Sequence, residues 1–305
     1  QYDHEVQVRT ATGPGDDAAV LALRDAEIGL ALSSGADPNW TAAAPYDGAR
    51  AVALENATNL AAKGATPLAA VDCLNGGNPE KPEVYGGFEG IVNGLADMCA
   101  ALDAPVVGGN VSLYNDSPSG PIPPTPTLAM TGTKDGYDAP SAALAGEGTL
   151  LVVGDSSDGE GLALGGSEYL AQFGGSDRFP ALPENPREVV EALAAVADQS
   201  GTLAVHDVSH GGLAVALAEM VTSDAGLSAE VGGLDALFAE TPGRAVVETT
   251  DPEAVRERFA GVAPVEDVGE ADGSGELELA VGDETLTYDA GEIAGLRDVL
   301  ARELD

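Results

Sequence analysis

Val106-Val107-Gly108-Gly109-Asn110-Val111-Ser112-Leu113-Tyr114-Asn115 is a short β-branched run that passes directly into paired glycines, an amide, a hydroxyl and a second amide. Adjacent glycines after a strand let backbone N–H groups close on an anion, as a nest. Asn110 adds a neutral oxygen suited to a hard cation such as Mg²⁺, and Ser112 adds a hydroxyl two residues on. A plain Gly-Gly turn is the simpler reading on pattern alone. Upstream, Leu68–Cys73 reads as a buried strand with Asp72 at its end, where α/β proteins place ligands. Asp72-Cys73-Leu74-Asn75-Gly76 is equally good turn chemistry. Between the two segments, Phe88, Ile91, Val92, Leu95, Met98, Cys99 and Leu102 recur at helical spacing.

Outward from this core the chain alternates strand and helix signals. Val6 and Val8 predict a short strand. Gly13-Pro14-Gly15-Asp16-Asp17 predicts a loop into the apolar run Ala18–Leu23. Ile28, Leu30 and Leu32 alternate as a strand, and a helix fits 49–63, closed by Gly64 with Pro67 beyond it. A proline-rich loop, 118–126, precedes a strand over Thr127–Thr133, and 136–147 reads as a linker. The second region offers strands at Thr149–Val153, Leu203–Val205, Arg244–Glu248 and Leu277–Val281. A loop with Gly159, Gly161, Gly165 and Gly166 follows the first of them. Helices are predicted around Val189–Val196, after Gly211-Gly212, from Pro252, and over Ile293–Leu304. The expectation is an α/β (α+β) chain of two domains, 1–138 and 139–305.

The chain has 305 residues, 44% of them hydrophobic but only 4% aromatic, so its core is built mostly from Ala, Val and Leu. Asp and Glu number 51 against 13 Lys and Arg, a net charge of −38. No basic stripe exists to displace counterions from phosphates, which excludes a docked nucleic acid. No 18-residue apolar stretch predicts a membrane span, and no signal peptide is visible, so a cytoplasmic protein is expected. Acid is spread along the whole length rather than gathered in a tail. The Debye length falls to roughly 3 Å at about 1 M salt, so such a chain suits a salt-filled cytoplasm, as in halophilic archaea. A binder of basic partners is the rival reading. Cys73 and Cys99 form no CxxC pair and predict reduced core thiols. The first residue is Gln1, which suggests a processed or excised piece of something longer.

Other chemistries are poorly supported. His206 and His210 stand four apart like a metal pair, but Gly211-Gly212 opposes a continuous helix there and no third ligand is evident. A strand-to-helix turn capped near Asp207 or Ser209 is the better reading. Asp16-Asp17 could hold Mg²⁺–phosphate, though adjacent aspartates are common in so acidic a chain. No GxSxG elbow and no Walker A pattern occur, and no GxGxxG opens a helix with an acid about 20 residues on.

Taken in order, Tyr2-Asp3-His4, Gly13-Pro14-Gly15 with Asp17-Ala18-Ala19-Val20, the stretch 56–78, Gly108–Asn115 and His206-Asp207 with Gly211-Gly212-Leu213 resemble the C-terminal half of the phosphoribosylformylglycinamidine synthase family, synthetase subunit. The resemblance runs over the whole chain, and Gly-Gly-Asn-Val-Ser-Leu-Tyr-Asn is its most specific element. It implies an aminoimidazole-ribonucleotide-synthetase-like unit: an N-terminal β-barrel-forming domain plus a C-terminal α/β domain. It implies an ATP-dependent C–N ligase of purine biosynthesis that converts formylglycinamide ribonucleotide plus ammonia from glutamine to the amidine. Cofactors are then ATP and Mg²⁺, with Asp72 and Gly109 at ATP, Asn110 at Mg²⁺ and Ser112 at the substrate. No catalytic residue lies in this half, so the chain alone is expected to be inactive. Expected partners are the N-terminal half of the same synthetase, a glutaminase subunit, a small bridging subunit and a small ribonucleotide. An isolated unit is expected to homodimerise through an exposed barrel seam. Some members hold a structural nucleotide at a second site, whose acidic elements here would be Asp17 and Asp207. Two departures stand out: Asn59 occupies a position where the first unit has a metal-binding carboxylate, and His210 replaces the usual Asp. The alternatives are a non-catalytic nucleotide-binding or scaffold domain, and another ATP-using enzyme of the superfamily.

Overall fold

The structure, a computed structural model, describes residues 3, 5–154 and 162–304. Tyr2, His4, Gly159 and Gly161 lie outside the described residues. The first half builds one mixed sheet from β1 (Thr10–Thr12), β2 (Ala19–Leu23), β3 (Ile28–Gly35), β4 (Thr66–Asn75), β5 (Val106–Ser112) and β8 (Thr125–Asp135), in the order β1-β2-β3-β8-β4-β5. A small hairpin, β6 (Asp116–Ser117) and β7 (Gly120–Pro121), stands apart from it. Only β4 and β5 run parallel, because α3 (Pro82–Ala101) supplies the crossover between them. Among the described residues the sheet is open, with β1 and β5 at its edges, and they close no barrel.

The faces of this sheet differ in kind. Along β3, Gly29, Ala31 and Ser33 are buried, whereas Leu32 is exposed and Ile28 and Leu30 are half-buried. The small residues face α2 (Pro45–Ala61), a helix almost wholly buried and rich in Ala. The bulky alternation that announces the strand therefore marks the opposite, uncovered face. Leu23, Leu32 and Val71 are exposed on that face. Apolar surface left open in this way marks an interaction face.

The second half forms a seven-stranded sheet from β9 (Gly148–Val153), β10 (Thr202–Asp207), β11 (Gly226–Val231), β12 (Ala245–Thr249), β13 (Val265–Asp272), β14 (Glu276–Val281) and β15 (Glu284–Asp289), ordered β10-β12-β9-β13-β11-β14-β15. Its interior strand β9 is covered on both sides, as its unbroken Leu-Leu-Val-Val run requires. Leu151 and Val153 join the core that holds α2 and α5 (Pro186–Ala197), while Leu150 and Val152 join a second core under α6 (Gly212–Met220). One core thus spans both sheets, with α2 at its centre. The remaining helices are short: α1 (Pro38–Ala43), α4 (Glu168–Phe173), α7 (Leu234–Phe238), α8 (Pro252–Phe259), α9 (Ala290–Arg297) and α10 (Val299–Leu304). The connection between the sheets is pinned by fully buried Glu248, whose carboxylate accepts from the backbone N–H groups of Ala145, Gly146 and Glu147 at 2.7–2.9 Å.

Three expectations need correction. Val6–Val8 is a turn with left-handed backbone at all three residues, φ 45–66°, and the first strand begins at Thr10. The predicted terminal helix is two helices broken at Asp298. The paired glycines 108 and 109 are extended residues in the middle of β5, so they form neither a turn nor a nest.

Candidate functional site

The four residues singled out in the sequence come together on the adjacent parallel strands β4 and β5, but not on one face. The register pairs Asp72 with Gly109, Cys73 with Asn110 and Asn75 with Ser112. Neighbours in register point to the same side of a sheet, and successive residues alternate. Asp72 therefore shares the helix-bearing face with Ala70 and Leu74, both buried. Asn110 and Ser112 share the open face with Val71 and Cys73. Burial raises the Asp72 carboxyl above its ordinary value. Glycine is required at 109 because a Cβ there would come within 2.6 Å of the Asp72 backbone carbonyl as well as overlap its carboxylate. Asn110 is exposed and Ser112 half-buried at the sheet's edge, so their amide and hydroxyl meet a ligand only if a second surface closes over them.

A second polar assembly lies where the two sheets meet, and sequence reasoning saw it only in part. Lys63, fully buried at the end of α2, donates to the carbonyls of Pro140 (3.1 Å) and Val205 (3.2 Å) and pairs with Asp16 and with Asp17 (3.2 Å). His206 at the end of β10 meets Asp17 through Nδ1 at 2.5 Å and Glu219 through Nε2 at 3.2 Å. Burial opposes charge on this imidazole, but the Asp17 and Glu219 hydrogen bonds outweigh it and push it up to about 10. Asp17 is held low against its own burial by Lys63 and His206. Burial and the Asp17 charge lift neighbouring Asp207 to about 6. Ligand atoms of Asp17, His206 and Asp207 lie within 4.8 Å of one another, close enough to hold a cation. However, both Asp17 oxygens already face Lys63 and His206. The structure thus brings the two anticipated acids together, around an internal ammonium that the sequence reading missed. The available signal was rarity: the chain has three lysines, and Lys63 ends an Ala-rich helix.

His210 extends this contact zone. Its Nε2 meets Asp37 at 2.9 Å, and its ring stacks on buried Trp40. Asp37 also caps α1 by accepting from the Asn39 and Trp40 N–H groups. Gly211, at φ 80°, starts α6 and donates its N–H to Glu240, which also accepts from Trp40 Nε1. The hydrogen bond to Asp37 lifts His210 to about 9 despite burial. Burial and the Asp207 charge lift Glu55 to about 8. Glu55 Oε2 and Asn59 Oδ1 are buried without a hydrogen-bond partner.

The shifts of His206, His210 and Glu55 share one sign. A group that binds its proton more tightly when folded stabilises fully below its unfolded value, and the contribution is lost as pH climbs through the folded one. His206 and His210 behave so, placing their window between about pH 6.5 and 10, and Glu55 behaves so between about 4.5 and 8. In molar KCl the Tm is expected to fall as pH rises from 7 to 10, and His206→Gln to flatten that fall. A Tm level or rising over this range contradicts the assignment.

Two α/β domains sharing a core across one buried helix, the first with an uncovered sheet face, define the class. The chain belongs to the AIR synthase related family: residues 15–133 match its N-terminal domain and 146–282 its C-terminal domain. It is 72% identical to the phosphoribosylformylglycinamidine synthase subunit PurL of Natronomonas pharaonis and 68% identical to that of Haloarcula marismortui, in each case over 100% of this chain and 43% of the relative. The chain thus spans less than half the length of these relatives. Among solved structures, Thermotoga maritima PurL complexed with FGAR superposes with a TM-score of 0.73 at 19% identity, covering 96% of this chain and 50% of that one. The ATP complex of T. maritima PurL gives 0.61 at 20% identity, over 87% and 38%. The T. maritima PurLQS structure gives 0.59 at 20%, over 89% and 40%. At these identities the structures establish the fold alone.

Proposed function

We propose that this chain, divided at 1–138 and 139–305, is the second unit of an ATP-dependent phosphoribosylformylglycinamidine synthase of the cytoplasm. Its role is to supply one wall of an active site whose other wall comes from a complementary unit. The observation that carries this reading is the placement of Asn110 and Ser112 on the same side of β5, on a sheet face that nothing among the described residues covers. Relatives more than twice as long, and a structural neighbour complexed with FGAR, support it.

In this reading the amide oxygen of formylglycinamide ribonucleotide attacks the γ-phosphorus of ATP and ADP leaves. Ammonia adds to the activated carbon, and phosphate departs with the C–O bond to give the amidine. Ser112, on the open face, holds the ribonucleotide; Asp72 and Gly109 are the expected nucleotide contacts, and Asp72 would meet the nucleotide from the opposite, helix-bearing side of the sheet. Asn110, an exposed neutral oxygen donor, fits Mg²⁺ as one ligand of several, the rest coming from phosphates and the complementary unit. Mg²⁺, when bound, offsets the phosphate charge. A glutaminase subunit and a small bridging subunit deliver the ammonia; the PurLQS structure of the T. maritima neighbour is in keeping with such an assembly.

Mixing tests this directly. Alone in molar KCl the chain is expected to turn over no substrate. Added complementary unit, ATP, Mg²⁺ and ammonium are expected to restore amidine formation. ATP binding without any gain on mixing would instead identify a nucleotide-binding scaffold. Light scattering on the isolated chain is expected to show a dimer that Val107→Lys on the exposed edge strand converts to monomer. A wild-type monomer argues against the open face as an interface.

A further inference from the structure

The loop after β5 contains an element that the proposed reaction does not use. Tyr114 has left-handed backbone, φ 61°, and an exposed ring. A bulky residue rarely adopts that conformation, and it persists only where its surroundings fix it. What fixes it is a clip to the turn after β4. The N–H of Tyr114 donates to Gly77 O and that of Asn115 to Gly76 O, both at 3.1 Å, and Gly76 N–H donates to Ser112 O at 2.9 Å.

The side chain of Asn115 closes this clip. Its Nδ2 donates to Gly76 O and Ser112 O, each at 3.0 Å, and stands 3.2 Å from Ser112 Oγ. Two carbonyl oxygens can only accept, so they dictate which way the amide points. The shorter contact at the Ser112 hydroxyl is with that same nitrogen, the Oδ1 contact being 3.4 Å. Ser112 Oγ thus stands against both ends of the Asn115 amide, 3.2 Å from Nδ2 and donating to Oδ1 at 3.4 Å, so Asn115 fixes where the hydroxyl sits.

We propose that Asn115 is a positioning residue that acts through Ser112, holding the serine hydroxyl at the place where it meets the ribonucleotide. The inference rests on the reading of Ser112 as a substrate contact. Asn115 touches no reacting atom. It ties the ends of β4 and β5 together and fixes the place of the hydroxyl between them.

The test is a double-mutant cycle in the chain mixed with the complementary unit, with ammonium as nitrogen source. Ser112→Ala is expected to raise the KM for formylglycinamide ribonucleotide roughly tenfold, as loss of about one hydrogen bond does, with the ATP KM within about twofold. Asn115→Ala is expected to raise the same KM by about the same factor. The double variant is expected to be no worse than Ser112→Ala, because Asn115 has nothing left to position. Asn115→Asp keeps the shape but loses the N–H groups, so it is expected to match Asn115→Ala; it serves as the second probe if the alanine variant loses its Tm. Effects that multiply in the double variant, or an Asn115→Ala enzyme with unchanged KM, overturn the positioning role. A Ser112→Ala enzyme with unchanged KM overturns the substrate-contact reading itself.

Discussion

Asn110→Ala is expected to lower kcat of the reconstituted synthetase by about 100-fold, within the span seen when one preorganised polar group is removed from an active site. Tm is expected to stay close to wild type, because Asn110 is an exposed residue on an edge strand and substitutions at such places change stability by about 0.5 kcal/mol or less. The Mg²⁺ concentration for half-maximal rate is expected to rise, whereas Asn110→Asp, which keeps an oxygen at the same reach, recovers much of the loss. A full-rate Asn110→Ala enzyme with its Mg²⁺ dependence intact would falsify the assignment of this residue.

The second large effect lies in stability. Lys63→Met removes the buried cation between Asp16 and Asp17 while roughly preserving volume. Breaking a buried ion pair from one side costs about 3–5 kcal/mol, because the carboxylates are left uncompensated. At roughly 2–4 °C per kcal/mol for large domains, the Tm is expected to drop by about 10 °C. Lys81→Met is the control: Lys81 is 44% exposed and stands 3.4 Å from Asp116, a surface pair from which little is expected. Adding Asp16→Asn and Asp17→Asn to Lys63→Met is expected to return part of the loss. Equal Tm changes for the two lysine variants would show that Lys63 is no clamp.

How much of this was legible in the sequence depends on where each signal originates. The α3 helix was readable because Ile91, Leu95, Met98, Cys99 and Leu102 record one packed stripe, although Val92, placed in the same stripe, is exposed. β13 was not: in Val265–Asp272 only Val268 and Ala271 are buried, between acids that face out, and a register shift interrupts its pairing with β9. The strands around Gly108-Gly109 were misjudged for a related reason. Two glycines carry no strand preference of their own, and β4 supplies the pairing that makes them extended. The candidate site follows the same division. Asp72, Gly109, Asn110 and Ser112 were visible as residue types in a motif. Their split across two faces is a matter of register, which is fixed by tertiary pairing and leaves no mark on a single segment. The clustering of Asp16, Asp17, Lys63, Pro140 and Val205 joins positions up to 189 residues from one end of the network to the other, Asp17 to His206. No local pattern encodes it.

Two of the chain's three lysines, Lys63 and Lys134, sit with their side chains out of contact with solvent. Dissolved ions weaken attraction between charges only where they can gather around them. The attachments of Lys63 to Asp16 and Asp17 are therefore shielded from the brine that erases the surface pairs, whereas Asp198, the partner of Lys134, is 47% exposed; the Lys63 seam between the halves is expected to hold as firmly in concentrated electrolyte as in dilute buffer. The outer coat of acids, by contrast, needs that electrolyte to stop pushing itself apart.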